Sequence, residues 1–395
     1  MRIDLLFPVL PPTLDGIGDH TVHVARRLAS RADVRILTAQ SAWTPIPGVR
    51  VVPAFSITPP WRIGRVIDEI ANDPPDWLVV QFNQFSYGRW GFNPFLPWTL
   101  RRLSTVAPET RIAWMAHEDF VPACSLKFTV MRQWQRWQFR QLGDLADCIF
   151  FSIDPWVDTY GSWFPNTPVH HFPIGSNMPR VEGSPAELRA QLGLTDVFVV
   201  GFFGTLRARH THHFQAALDA LHSRAERDGC PIAVLYVGPD GPLLRAELDK
   251  ALPALRVIDA GRLPAEDVSR HLAVMDLHLT PFTDGVSTRR GSFMAGLQHG
   301  VATVATEGPL TDRILRAQHD RALLLASTRD PDAFAAAACA LYDDPSRRAQ
   351  LGRAGRTLYE TSFAFDITVP SFFNTLTSTG RRARRNEAHA LHAHR

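Results

Sequence analysis

The sequence predicts an α/β protein of two doubly wound, Rossmann-like domains, each with a parallel sheet covered by helices on both faces. Three observations carry that prediction. Short apolar strands alternate with amphipathic helices along almost the whole chain, the signature of repeated βαβ units. The alternation begins twice, at residues 3–9 and 197–203, and a polar stretch, Arg180-Val181-Glu182-Gly183-Ser184-Pro185, separates the two starts. A length of 395 residues also suffices for two cores, expected at 1–178 and 186–363.

Composition narrows the class. With 45% hydrophobic and 21% charged residues, the chain reads as soluble and globular. No apolar run approaches the roughly 20 residues that span a bilayer, and Met1-Arg2-Ile3-Asp4 enters a strand without a signal-peptide pattern. The net charge is +3, but the last fifteen residues hold five Arg and one Glu, leaving about −1 for the rest. That excludes a general nucleic-acid-binding surface. Segment 378–395 has charge and alanine but no apolar period, and is expected to be a disordered basic tail. Cys124, Cys148, Cys230 and Cys339 lack paired spacing, as expected of reduced thiols. These features predict a cytoplasmic protein.

The first strand breaks at Pro11-Pro12 and enters Thr13-Leu14-Asp15-Gly16-Ile17-Gly18-Asp19-His20, ahead of a helix at 21–30. A glycine-rich turn between a strand and a helix lets backbone approach a ligand, and its N–H groups suit an anion. It is not the dinucleotide fingerprint, because the third Gly and the acidic residue closing the second strand are missing. Strands at 34–38, 51–54, 77–82, 111–117, 148–153 and 169–172 then interleave with helices near 62–71, 96–103, 126–145 and 155–163. Strand 111–117 ends in His117-Glu118-Asp119. A His there lies on the ligand side of such a sheet, where it donates to an anionic oxygen or orients a hydroxyl; the alternative is a loop-capping His. The helix at 126–145 mixes Lys127, Arg132, Arg136 and Arg140 with Phe128, Met131, Trp134, Trp137 and Phe139. That composition fits a core-facing aromatic stripe with a solvated basic face, and equally a helix resting on an anionic membrane.

The second half repeats the pattern, with strands at 197–203, 232–237, 256–259, 277–281, 301–305 and 322–325. Helices fall near 213–225, 242–251, 264–274, 288–299, 332–342 and 346–361. Two such domains place a ligand cleft between their facing strand ends. The first turn of the second domain, Gly204-Thr205-Leu206-Arg207-Ala208-Arg209-His210, offers cations to an anion. The neighbouring His212 and His213 suggest a metal, but no Cys or acidic companion is near. Asp330-Pro331-Asp332 reads as a helix N-cap, not a metal motif.

The chain is organised around 279–300. A buried strand runs into a polar loop with Asp284, Gly285 and Ser287, and a helix expected from Thr288 follows. Arg289 and Arg290 would then occupy its first turn, where cations oppose the helix dipole and destabilise it unless an anion lies between them. A phosphate is such an anion; the alternative is a solvated pair on an ordinary crossover helix.

In order and spacing, these stretches resemble the family-four glycosyltransferases of the GT-B fold, over nearly the whole chain. Pro11-Pro12 through Gly16-Ile17-Gly18 looks like that family's acceptor-side loop, and His117-Glu118 its strand-end His. Pro173 to Pro179 is similar to the segment before its interdomain linker. Val257-Ile258-Asp259-Ala260-Gly261-Arg262-Leu263 matches its base-side strand. Leu351-Gly352 to Phe363-Ala364-Phe365-Asp366 resembles its C-terminal helices, whose last member, about 364–377, crosses back to the first domain. The sequence departs from the family at Ser287 and Ala295, where members carry two glutamates, and at Thr205 and His210, where they carry Arg and Lys.

The resemblance implies a retaining, metal-independent glycosyltransferase of glycan biosynthesis. It would take a UDP- or GDP-linked sugar as donor and a glycan, lipid-linked or small-molecule acceptor, with no cofactor. Negative charge grows on the diphosphate as the glycosidic bond breaks, and fixed cations stabilise that change more than the ground state. Arg207 and Arg290, with His117, are the catalytic candidates. Donor contacts are expected from Gly204, Thr205, Arg209, His210, Arg262, Leu263, Asp284, Gly285, Ser287, Thr288, Arg289 and Gly291. Gly16, Ile17, Gly18, Asp19 and Glu118 would border the acceptor. Two alternatives stand: a non-catalytic nucleotide-sugar-binding partner of another transferase, and a nucleotide-sugar epimerase of the same fold. Peripheral contact with the inner membrane surface is a further expectation.

Overall fold

The computed structural model describes residues 1–181, 183–206 and 211–380. The chain divides into two compact units. The first comprises Met1–Phe151, Trp156–His171 and the chain from Val369 on, and the second Ser152–Pro155 and Phe172–Thr368. The tail residues 381–395 lie outside the described residues.

In the first unit, β1 (Arg2–Leu6), α1 (Gly16–Leu28), β2 (Asp33–Thr38), β3 (Val49–Pro53), α2 (Arg65–Asn72), β4 (Trp77–Phe82) and α3 (Phe95–Val106) come first. They are followed by β5 (Arg111–Ala116), α4 (Leu126–Leu145), β6 (Cys148–Phe151), α5 (Asp154–Tyr160, whose first two residues count with the second unit) and β7 (Val169–His171). The strands pair in parallel in the order β3-β2-β1-β4-β5-β6-β7. β4 is buried at every position, as a strand covered on both faces must be. The order reverses between β1 and β4, and open α/β sheets take ligands beyond the carboxyl ends at such a switch point.

In the second unit, α6 (Pro185–Gln191), β8 (Phe198–Phe203), α7 (Thr211–Asp228), β9 (Ile232–Val237), α8 (Gly241–Ala251), β10 (Arg256–Asp259) and α9 (Ala265–Ala273) lead. Then come β11 (Leu277–Thr280), α10 (Gly291–Gln298), β12 (Ala302–Glu307), α11 (Arg313–Ala317), β13 (Leu324–Ser327), α12 (Pro331–Asp343) and α13 (Pro345–Leu358). The six parallel strands run β10-β9-β8-β11-β12-β13, with the switch point between β8 and β11. One face is sealed by α7 and α12, whose Phe214, Leu218, Leu221, Phe334, Ala338 and Leu341 share a core with β8 and β9. Asp330 caps α12, accepting from Ala333 N at 2.9 Å, as the sequence predicts.

The last helix, α14 (Phe365–Ser378), buries Val369, Phe372 and Leu376, spaced for one helical face. Phe372 packs 4.7 Å from Phe150 of β6, and Arg111 Nη1 donates to the Thr379 carbonyl at 2.9 Å. The last helix therefore packs on the first sheet.

Two expected helix starts are corrected. α1 begins at Gly16 rather than residue 21, because the Asp15 carboxylate accepts from Ile17 N and Gly18 N at 2.9 and 2.8 Å. The expected glycine loop is thus the helix's first turn. α10 begins at Gly291 rather than Thr288, because the Thr288 N–H is taken by Asp312 at 2.6 Å. Helical bonding there starts only with Met294 N to the Arg290 carbonyl.

Candidate functional site

In the first unit, α1 packs tightly over the exit of β1. A Cβ on Gly18 would stand 2.6 Å from the Val9 carbonyl oxygen, so only glycine fits, whereas Gly16 faces open space. Asp19 follows, its carboxyl pushed up to about 6 by burial and then by Asp15. His117 continues β5, its N–H donating to the Phe82 carbonyl at 2.9 Å. Its Nε2 lies 2.6 Å from Gln81 Oε1, so the neutral tautomer protonated there donates to the amide oxygen. The rings of His20 and His117 meet edge to face at 4.9 Å. Burial lowers His117 to about 3 and holds His20 well below the usual imidazole range, so both are neutral near pH 7. Two neutral imidazoles thus meet where α1 packs against the carboxyl end of β5. Glu118 is half-buried, and the next residue, Asp119, accepts from Tyr160 Oη at 2.8 Å.

In the second unit, the loop from β11 to α10 is built around Gly285, at φ 92. A Cβ there would collide with Thr311 Oγ1 and the Gly308 backbone. Val286 N donates to the Thr306 carbonyl and Leu310 N to that of Asp284, at 2.7 and 2.9 Å, stitching the loop to the one after β12. Asp312 completes the frame: its carboxylate accepts from Thr288 N and Asp154 N at 2.6 and 2.8 Å. Burial raises its carboxyl to about 6, against those backbone bonds. The Thr288 hydroxyl donates to the Ser152 carbonyl at 2.8 Å. Ser287 is fully enclosed, and its Oγ has no hydrogen-bond partner among the described residues. Ala295 is likewise buried.

The arginine pair precedes the helix, and the anion between the two is the chain's own. Arg289 Nη2 donates to Asp284 Oδ2 at 2.7 Å, and Arg290 Nη2 reaches both Asp284 oxygens at 2.6 and 2.7 Å. The Arg290 guanidinium also stands 4.7 Å over the Phe282 ring. Burial works to raise the Asp284 carboxyl, but Arg290 and Arg289 outweigh it and hold it below the usual carboxylate range. The triad stands next to Gly291, whose missing side chain leaves open space.

The turn after β8 lies beside it. Gly204, at φ 115, would place a Cβ 3.3 Å from Ser292 of α10, and Tyr236 Oη donates to its carbonyl at 2.9 Å. Thr205 is exposed. Exposed Arg262 and half-buried Leu263 follow β10, where Gly261, at φ 66, accepts through its carbonyl from Gly238 N at 2.9 Å. Arg207, Arg209 and His210 lie outside the described residues. Sequence reasoning missed Gln81, His20 and Asp312. Gln81 carried a signal, as the one polar side chain in the apolar run Trp77-Leu78-Val79-Val80-Gln81-Phe82; Asp312 carried none.

Two parallel sheets of seven and six strands match the GT-B architecture of the solved structures below. Residues 197–344, within the second unit, match the family model described as Glycosyl transferases group 1. No curated protein matches the chain. Sucrose-phosphate synthase from Thermosynechococcus elongatus is 15% identical with a TM-score of 0.73, over 96% of this chain and 100% of that one. HepE from Anabaena, in complex with UDP and glucose, is 17% identical with a TM-score of 0.68, again over 96% and 100%. A putative UDP-N-acetylglucosamine 2-epimerase from Listeria monocytogenes is 13% identical with a TM-score of 0.60, over 95% and 96%. At these identities the likeness establishes the fold, which hosts more than one reaction.

Proposed function

We propose that the protein is a cytoplasmic glycosyltransferase of family four that moves a sugar, with retention and without metal or cofactor, from a nucleoside-diphosphate sugar to a hydroxyl acceptor. The observation that carries the reading is the Arg289–Asp284–Arg290 triad before α10, within the group 1 domain. Its guanidinium groups and the N–H groups of α10 suit a diphosphate, and stabilise it more as the glycosidic bond breaks. Gly291 and Gly204 admit the phosphates closely, while Thr205, Arg262 and Leu263 border the nucleoside. Thr288, Gly285 and Asp312 hold the loop in place; Arg207, Arg209 and His210 add charge and hydrogen bonds. Ser287, fully enclosed, stands behind the donor loop rather than against the sugar. In the first unit, Gly16, Ile17, Gly18, Asp19 and Glu118 border the acceptor, and His117 presents its neutral imidazole to a substrate oxygen. The UDP and glucose of the HepE complex support a uridine-linked donor.

Ser287 and Ala295, where glutamates were expected, favour a second reading: a non-catalytic nucleotide-sugar-binding partner. One experiment separates the two. Purified protein is screened by thermal shift against UDP- and GDP-sugars without added metal, and nucleotide release is followed by mass spectrometry. Stabilisation by one donor with release of its nucleotide is the expected result. Binding without release, even with cell extract as acceptor source, would replace the transferase by the partner. If no nucleotide sugar binds, both fail.

A further inference from the structure

α4 has apolar residues on two faces, and the core accounts for only one. With about 3.6 residues per turn, Met131, Gln135, Gln138, Phe139 and Leu142 share the buried side, where Phe139 meets Trp114 at 4.7 Å. Leu126, Val130 and Trp137 project from the opposite side, 83%, 51% and 46% exposed. Trp90 and Phe92, 54% and 51% exposed, rise beside them from the segment after β4. That segment is rigid: Trp134 Nε1 and Gln135 Nε2 both donate to the Trp90 carbonyl at 3.2 Å, and Gln138 Nε2 to that of Gly91 at 2.8 Å. The Phe92 and Trp134 rings touch at 5.9 Å.

The rim of this face is predominantly positive, with Asp119 and Asp144 at its ends. Arg132, Arg136 and Arg140 run along one flank of α4, stacked on the Phe120 and Trp163 rings at 4.6–5.9 Å. Lys127 and Arg89 stand over Trp90 at 5.8 and 5.1 Å. Segments 85–108 and 120–143 together hold seven Lys or Arg and no Asp or Glu. We propose that this face docks on an anionic lipid surface, with the aromatic rings at headgroup depth and the cations on lipid phosphates. A second copy of the chain is disfavoured as occupant, because it would bring the same positive rim against itself. Among the described residues no helix is long and apolar enough to cross a membrane, so the contact is with the surface. The inference needs no donor and stands apart from the proposed reaction.

The test is co-sedimentation of the full chain with vesicles of phosphatidylcholine alone, or with about 30 mol% phosphatidylglycerol. Binding is expected only to the anionic vesicles, and is expected to fall away near 0.5 M salt, where the Debye length is only about 4 Å. Each cation removed should weaken it about fivefold, so Arg136→Ala with Arg140→Ala loses roughly 25-fold. Leu126→Ser, Val130→Ser and Trp137→Ser together should abolish it while leaving the melting temperature unchanged. Equal behaviour on both vesicle types would overturn the proposal, as would wild-type binding by the triple variant. Light scattering that shows a dimer dispersed by the triple variant, without vesicle binding, would instead make this face a protein–protein interface.

Discussion

Replacing Asp284 by Asn keeps the shape of the loop and removes the carboxylate that Arg289 and Arg290 share. The structure sets the magnitude. Arg289 is 8% exposed, Arg290 27% and Asp284 29%, so the triad is neither fully buried nor a surface pair. Removing one partner from a buried pair costs about 3–5 kcal/mol and from an exposed one about 0–1, which places this change at about 2 kcal/mol. In a domain of roughly 200 residues that corresponds to a melting temperature lower by about 4–8 °C. A nucleoside diphosphate would supply the missing negative charge. The variant should therefore be stabilised by UDP or GDP, whichever binds, more than the wild type is. Scanning fluorimetry with and without nucleotide reads both quantities. An unchanged melting temperature would refute the account of the ion pairs; a nucleotide shift no larger than wild type would refute the phosphate assignment.

His117→Gln should lower kcat by about 100-fold or more while leaving the donor Kd unchanged, and undiminished turnover would sink the proposed role of the imidazole. The same variant tests the burial of His117, which is lowered to about 3 from 6.5. As pH drops below 6.5 the unfolded chain takes up a proton that the folded chain refuses. His117 therefore removes stability only below that pH, by about 1.4 kcal/mol per unit, and urea melts of the variant should be flatter there. Parallel curves for variant and wild type would contradict the burial. Ser287→Ala should raise the melting temperature of the free protein, since it removes an enclosed hydroxyl without a partner, and leave the KM for the donor unchanged. A raised KM would put Ser287 among the donor contacts.

Much of the architecture was legible because it is written in short-range pattern. Buried strands such as Trp77–Phe82 and Ile232–Val237 are continuous apolar runs, and their bounds were read from the sequence as the structure has them. The polar loop between Phe282 and Gly291 marked itself by composition, and so did the twin start at the two switch points. Where two local rules competed, the reading slipped. Asp15 was passed over as a cap, which moved the start of α1 and turned His20 from an inward helical residue into a loop residue. The helix start near Arg290 shifted for the opposite reason: Asp312, from a different loop, takes the Thr288 N–H that a helix would have left to solvent.

The sequence by itself determined the class of fold, the places where a ligand loop follows a strand, and the abundance of cations there, because strand and helix periods and glycine turns are properties of neighbouring residues. The tertiary structure decided how those charges are arranged. Asp284 rather than an external anion sits between the arginines, since a turn with Gly285 at φ 92 folds its carboxylate back on them. Gln81 rather than solvent holds His117, since β4 and β5 lie side by side. Only one apolar face of α4 is used by the core, since the other looks away from the sheet. The Gln81–His117 pair joins groups 36 residues apart in the sequence, and only packing brings them together.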